Sequence, residues 1–142
     1  ARPFLEQFTA DFCANEGVPA DGVQLEIRTT QRMSFDRQHL HQVLWNLLRN
    51  AWRHGLKLRG SVRVTLLPAE APGMLALEGT DDGKGVAHEL HPHLFEPFFT
   101  TEAQGTGLGL YIARELCEGN GARIEYCEGG PGCRFRVTLR GT

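Results

Sequence analysis

Hydrophobic positions along the chain switch between two periods. Phe4, Leu5, Phe8 and Phe12 recur at helical spacing, and Gly17 with Pro19 ends that run. Val23, Leu25 and Ile27 then alternate with Gln24, Glu26 and Arg28, the pattern of a half-buried strand. Asp36 suits the N-cap of a second helix that runs to about His54 and stops at Gly55. Residues 61–67 and 74–79 read as two strands joined by a turn bearing Pro68 and Gly73. Residues 81–85 are expected to be a loop, and residues 88–94 at most a short helix. Residues 95–105 show no steady period. Helical spacing returns over residues 107–118 and is closed by Gly119 to Gly121. Residues 123–127 and 134–139 alternate like strands around a glycine- and proline-rich turn at residues 128–132. The mixture predicts an α/β two-layer sandwich: a mixed sheet of about five strands packed on about three helices. With neither an internal repeat nor a dividing linker, residues 1–142 are expected to form a single domain.

The second helix carries the first chemical signal. At about 100° per residue, Leu40, Val43, Leu44, Leu47, Leu48 and Ala51 form one apolar stripe. Gln42, Asn46, Asn50 and Arg53 form a second stripe beside it. Asn46 and Asn50 stand at i and i+4, so their amides point the same way. An amide oxygen is a hard, neutral ligand suited to Mg²⁺, and a guanidinium at Arg53 could reach phosphates. A solvated face with two incidental asparagines accounts for this helix equally well.

Two glycine-rich stretches add to that signal. Asp81-Asp82-Gly83-Lys84-Gly85 follows a strand, and its glycines would let backbone approach a flat ligand. Asp81 could accept a hydrogen bond from an exocyclic amine such as adenine N6, although a plain Asp-Gly turn has the same sequence. Gly105-Thr106-Gly107-Leu108-Gly109-Leu110 opens the third helix, where backbone N–H groups can face an anion. The spacings match neither a dinucleotide-binding loop nor a P-loop. Between them, Phe95-Glu96-Pro97-Phe98-Phe99 reads as a hydrophobic anchor, followed by a polar segment with Thr100 and Thr101 that could act as a lid.

Bulk composition narrows the class. The 142 residues are 41% hydrophobic and 23% charged, with a net charge of −2, so no basic surface recommends nucleic acid. No apolar run is long enough to span a bilayer, and no signal peptide opens the chain. The chain opens on Ala1 without an initiator Met, and a larger parent protein is expected. The four cysteines, Cys13, Cys117, Cys127 and Cys133, form no Cys-x-x-Cys pair and are expected to be reduced, although Cys127 and Cys133 could face each other across the terminal hairpin. His88, His91 and His93 carry no evident cysteine or carboxylate partner, and Pro92 interrupts their spacing, which argues against a metal site.

Taken together, the four stretches resemble the catalytic ATP-binding domain of sensor histidine kinases, within the wider group (the Bergerat ATP-binding fold) that includes gyrase B, the Hsp90 chaperones and the MutL repair proteins. The N box is similar to Asn46 through His54, the G1 box to Asp81 through Gly85, the F box to Phe95 through Phe99, and the G2 box to Gly105 through Leu110. A narrower likeness joins Phe98-Phe99-Thr100-Thr101-Glu102, the short lid, and Gly109-Leu110-Tyr111 through Cys117-Glu118 to the sensor kinases that control type IV pilus genes, with nitrogen-regulatory kinases close by.

The resemblance implies an ATP·Mg²⁺ site. Asn50 would be the metal ligand, and Asn46 would help to hold metal or phosphate. Arg53 and His54 would face the nucleotide, and Asp81 would read adenine, with Gly83 and Gly85 shaping the pocket. Phe98, Thr100 and Thr101 would border the ligand. Gly105, Thr106, Gly107, Leu108 and Gly109 would form the lid hinge and the phosphate-facing helix start. Asn46, Asn50 and Arg53 are the expected catalytic set. The sequence departs from the family pattern at Glu102, where many relatives carry lysine, so Arg53 is the candidate replacement cation.

None of the six histidines sits in a phosphoacceptor context. The implied acceptor lies on a separate dimerisation domain of the same protein, with a response regulator downstream. The full-length protein is expected to be a homodimer anchored in the bacterial inner membrane, with this domain cytoplasmic and monomeric by itself. A nucleotide-binding regulatory module, or an ATPase or serine protein kinase of the same fold, is the alternative.

Overall fold

The computed structural model describes residues 2–54, 60–83, 88–98, 108–127 and 134–142, without the side chains of His54 and His88. Helix α1 spans Arg2–Glu16 and buries Leu5, Phe8, Phe12 and Cys13. It ends where Gly17 takes φ +67°, a conformation glycine adopts without steric cost, and where Val18 N–H donates to the Cys13 carbonyl at 2.9 Å. Strand β1 (Val23–Ile27) follows, then a two-residue strand β2 (Met33–Ser34) and helix α2 (Arg37–His54). Strands β3 (Val62–Pro68) and β4 (Met74–Asp81) form a hairpin whose turn places Gly73 at φ +77°. A 3₁₀ helix (His88–His93), helix α3 (Gly109–Gly119) and strands β5 (Arg123–Cys127) and β6 (Arg134–Gly141) complete the order.

The strands form one mixed sheet in the order β1-β3-β4-β6, and β5 and β2 share the far edge of β6. Strand β5 pairs with residues 134–138 of β6, and β2 pairs with residues 140 and 141. The β1–β3 pair is parallel, whereas every other pair in the described sheet is antiparallel. Parallel neighbours need a crossover, and the chain between β1 and β3 contains α2, which is thereby laid on the sheet. The predicted two-layer α/β architecture holds, with six strands among the described residues instead of about five. The added strand, β2, is too short to show alternation. Strand β4 also runs two residues beyond the expected end, so Asp81 belongs to the sheet and not to a loop. Helix α3 begins at Gly109, two residues later than its spacing suggested.

The core lies between the helices and one face of the sheet. Val62, Val64 and Leu66 of β3, Leu75 and Leu77 of β4, and Val137 and Leu139 of β6 are almost fully buried there. They meet the stripe of Leu40, Val43, Leu44, Leu47, Leu48 and Ala51 on α2, all of which are buried as expected. Each large side chain so buried contributes about 1.5–3 kcal/mol. Phe8 and Phe12 of α1 pack edge-on against Trp45, fastening α1 to α2. The opposite sheet face carries charges that neutralise one another. Arg136 Nε donates to Glu78 Oε2 at 2.8 Å across the β4–β6 pair, and Arg28 donates to Glu26.

Candidate functional site

Helix α2 is fixed at its start by Asp36, whose Oδ1 accepts the His39 N–H at 3.0 Å, the expected N-cap. Its length then carries the asparagine stripe along the border of the core. Asn46 and Asn50 are half-buried, and Gln42 and Arg53 are exposed. The two amides, alike in sequence, are held differently. Asn46 Nδ2 donates to the Gly109 carbonyl at 3.1 Å, and its Oδ1 accepts from Gln42 Nε2 at 3.2 Å. Asn46 therefore ties α2 to the first residue of α3. Asn50, one turn further on, makes no side-chain hydrogen bond among the described residues.

Helix α3 starts at Gly109 with Leu108 in the N-cap position and no side-chain cap bond. Leucine offers no acceptor, and the first N–H groups of a helix have no intrahelical partners. A Cβ on Gly109 would stand 3.9 Å from the Asn46 side chain, an ordinary contact. The Gly109 carbonyl, not its lack of a side chain, is what Asn46 uses.

Strand β4 delivers the acidic element. Leu75, Leu77, Gly79 and Asp81 alternate onto the helix-covered face, with Leu48 of α2 lying 4.0 Å from where a Cβ on Gly79 would be. Asp81 continues that row as a carboxylate only 5% exposed. Its Oδ1 accepts the Gly83 N–H at 2.8 Å, an Asx turn that leads the chain off the sheet. Ser61, 2% exposed at the head of β3, donates to Asp82 Oδ2 at 2.9 Å and pins the same turn. Nothing in the sequence around Ser61 marked it for this role.

The aromatic segment divides. Phe95 packs edge-on against Phe135 with ring centroids 6.0 Å apart, and it is the anchor among the described residues. Phe98, expected to border a ligand, is 75% exposed and has φ 65°, a backbone region that disfavours residues bearing a Cβ. His93 Nδ1 lies 2.9 Å from Glu96 Oε1, so a carboxylate partner exists where the sequence reading saw none. His91 packs on the Tyr126 ring. Gly85, Thr100, Thr101, Gly105, Thr106, Gly107, Glu102 and the His54 side chain lie outside the described residues, as does Cys133. Cys13, Cys117 and Cys127 are free thiols, and burial, aided by Glu118, pushes Cys117 up to about 12.

These elements sit within a recognised family. The family model described as "Histidine kinase-, DNA gyrase B-, and HSP90-like ATPase" matches residues 35–142. The chain belongs to this ATPase family. Its ATP-binding domain is 50% identical over 108 residues to the sensor protein kinase PilS of Pseudomonas aeruginosa, covering 73% of this chain and 20% of PilS. It is 34% identical over 118 residues to the sensory histidine kinase/phosphatase NtrB of Rhizobium meliloti, covering 73% of this chain and 31% of NtrB. The solved catalytic domain of the histidine kinase ThkA, in a nucleotide-free form, superposes with a TM-score of 0.72 at 25% identity, covering 96% of this chain and 91% of that one. The domain is thus homologous to catalytic domains of two-component sensor kinases, and both expected sub-families are among its relatives. The chain spans about a fifth of PilS and under a third of NtrB. Among the described residues, no helix is long and apolar enough to cross a membrane.

Proposed function

We propose that this domain binds ATP with Mg²⁺ and transfers the γ-phosphoryl group to a histidine on a separate dimerisation and phosphoacceptor domain of the same protein, for relay to a response regulator. The observation that carries this reading is the division between the two asparagines of α2. Asn46 is engaged at both ends of its amide. Asn50 presents a half-buried amide on the same stripe. A neutral hard oxygen, partly shielded from water, fits a cation that keeps several waters and shares phosphate ligands. Asn50 would hold Mg²⁺, which when bound offsets the charge of the triphosphate.

The chain's own residues do the rest. Asn46 holds the start of α3, so the uncapped N–H groups of that helix face the phosphates. Arg53, exposed one turn beyond Asn50, supplies a cation that can reach the γ-phosphate. The Asp81 carboxylate, oriented by the Gly83 N–H, accepts from the exocyclic amine of adenine. Little covalent chemistry falls to the protein, and catalysis is positioning plus charge stabilisation. The attacking nitrogen belongs to the acceptor domain, so this domain alone binds nucleotide and turns it over slowly. The full-length protein is read as a homodimer anchored at the inner membrane, with this domain on the cytoplasmic side.

The test joins this domain to its acceptor domain and supplies γ-labelled ATP. Label on the acceptor histidine, lost with Asn50→Ala, supports the reading. No label from a folded protein that binds ATP would contradict it and favour a regulatory nucleotide-binding module.

A further inference from the structure

Helices α2 and α3 run antiparallel, and asparagines join both ends of α3 to α2, one at the middle of α2 and one at its start. At one end is the Asn46–Gly109 bond. At the other, Asn120 closes α3 with its backbone N–H donating to the Cys117 carbonyl at 3.0 Å, and Gly121 follows at φ +68°. The Asn120 side chain reaches back to the start of α2. Its Oδ1 accepts the Asp36 N–H at 2.9 Å. One Nδ2 hydrogen goes to the Leu116 carbonyl at 2.7 Å, and the other points at His39 Nδ1, 3.0 Å away. These contacts fix the amide's orientation: a flipped amide would set donor against donor at Asp36 and acceptor against acceptor at Leu116. They also require His39 Nδ1 to be the acceptor, which places the ring proton on Nε2.

The two ties are commensurate. Asp36 to Asn46 spans about 15 Å of helix, and Gly109 to Asn120 about 16 Å. Between them, the fully buried side chains of α3 are Ala113 and Cys117. Both are small and bring the helices close, while Leu110 and Leu116 pack against the core only half-buried, so side-chain interlocking alone leaves α3 some freedom to slide or tilt. Directional bonds at its ends add the precision that this packing lacks.

We propose that Asn120 is a positioning residue for the nucleotide site: by clamping the end of α3 to the start of α2, it fixes where Gly109 meets Asn46. The inference rests on the nucleotide reading above. Releasing the clamp lets α3 pivot about Ala113 and Cys117. A tilt of a few degrees moves Gly109 by up to about 1 Å, which a hydrogen bond of 2.7–3.2 Å does not absorb. The start of α3 at Gly109 would then present its N–H groups off target, although Asn120 lies at the opposite end of the helix.

The experiment uses the 142-residue chain. Resonances of the Asn46 side-chain amide and the Gly109 backbone are compared in the nucleotide-free wild type, Asn120→Ala, Asn120→Asp and His39→Ala. Binding of a non-hydrolysable ATP analogue with Mg²⁺ is measured by calorimetry well below each melting temperature. Asn120→Asp keeps the acceptor for Asp36 and loses both donors, and it serves if Asn120→Ala fails to fold. The expected result is displaced Asn46 and Gly109 signals, with analogue affinity weakened roughly three- to tenfold by Asn120→Ala and less by His39→Ala. Combined with Asn46→Ala, the loss should be less than multiplicative, because both substitutions release the same contact. A lower melting temperature with unchanged signals and unchanged affinity would overturn the proposal and leave Asn120 a simple helix cap. If the wild type binds no analogue, the nucleotide reading fails, and the resonances still decide whether Asn120 sets the pose of α3.

Discussion

The two faces of the sheet use charge in opposite ways. On the face away from the helices, strands β1, β3, β4, β5 and β6 place Glu26, Arg63, Glu78, Glu125 and Arg136 among threonines. These charges meet one another, as at Arg136–Glu78 and Arg28–Glu26, and they stay in contact with water. On the helix-covered face, Leu75 and Leu77 lead along β4 to Asp81, a charge at the edge of a region otherwise closed to ions. A carboxylate there costs far more than one on the other face unless the protein or a ligand engages it. On the function proposed above, the same chemical group is part of a solvated surface in one place and a recognition element in the other.

Four changes bear on that contrast, from the largest effect to the smallest. Leu77→Ala, in the covered face, should lower stability by roughly 2–5 kcal/mol, measured by denaturant unfolding. Asp81→Asn should weaken ATP binding roughly tenfold to a hundredfold while leaving unfolding within about 1 kcal/mol, because one polar group replaces another at the Asx turn. Guanine nucleotides, which lack the exocyclic amine at that position, should show little change.

Cys117 gives a pH signature of the covered side. Its folded-state value is raised from 9.0 to about 12 by burial. The unfolded chain therefore loses that proton first as pH rises. The stability associated with the neutral thiol is fully present below pH 9 and is lost progressively towards pH 12. Melting curves across that range should fall less steeply for Cys117→Ala than for wild type. The smallest effect belongs to the other face. Arg136→Ala should change stability by no more than about 1 kcal/mol and leave ATP affinity alone, since its partly exposed ion pair with Glu78 is screened by solvent. A large loss of ATP binding there would mean that the two faces are not separate in function.

What was legible in the sequence follows the same division. The apolar stripe of α2 and the alternation of β3, β4 and β6 repeat often enough for periodicity to expose them. So did Asp36, whose cap is local. Strand β2 escaped because two residues carry no period. Asn120 escaped because Asp36 and His39, its partners, are 84 and 81 positions away and adjoin it only once α2 and α3 are packed. For the same reason, Asn46 and Asn50 read as equals from their spacing alone, and only the family resemblance told them apart. Their difference depends on Gly109, 63 residues downstream, which meets one amide and not the other. Phe98 read as part of an apolar anchor by composition, whereas the left-handed backbone that turns it outward leaves no such mark.

Calorimetry of ATP binding with Mg²⁺ and with a chelator tests the division between the asparagines most directly. Wild type should bind more tightly with Mg²⁺. Asn50→Ala should bind with the same affinity in both conditions, and Asn46→Ala should bind more weakly overall while keeping its preference for Mg²⁺. A Mg²⁺ preference that survives Asn50→Ala and disappears with Asn46→Ala would contradict the account.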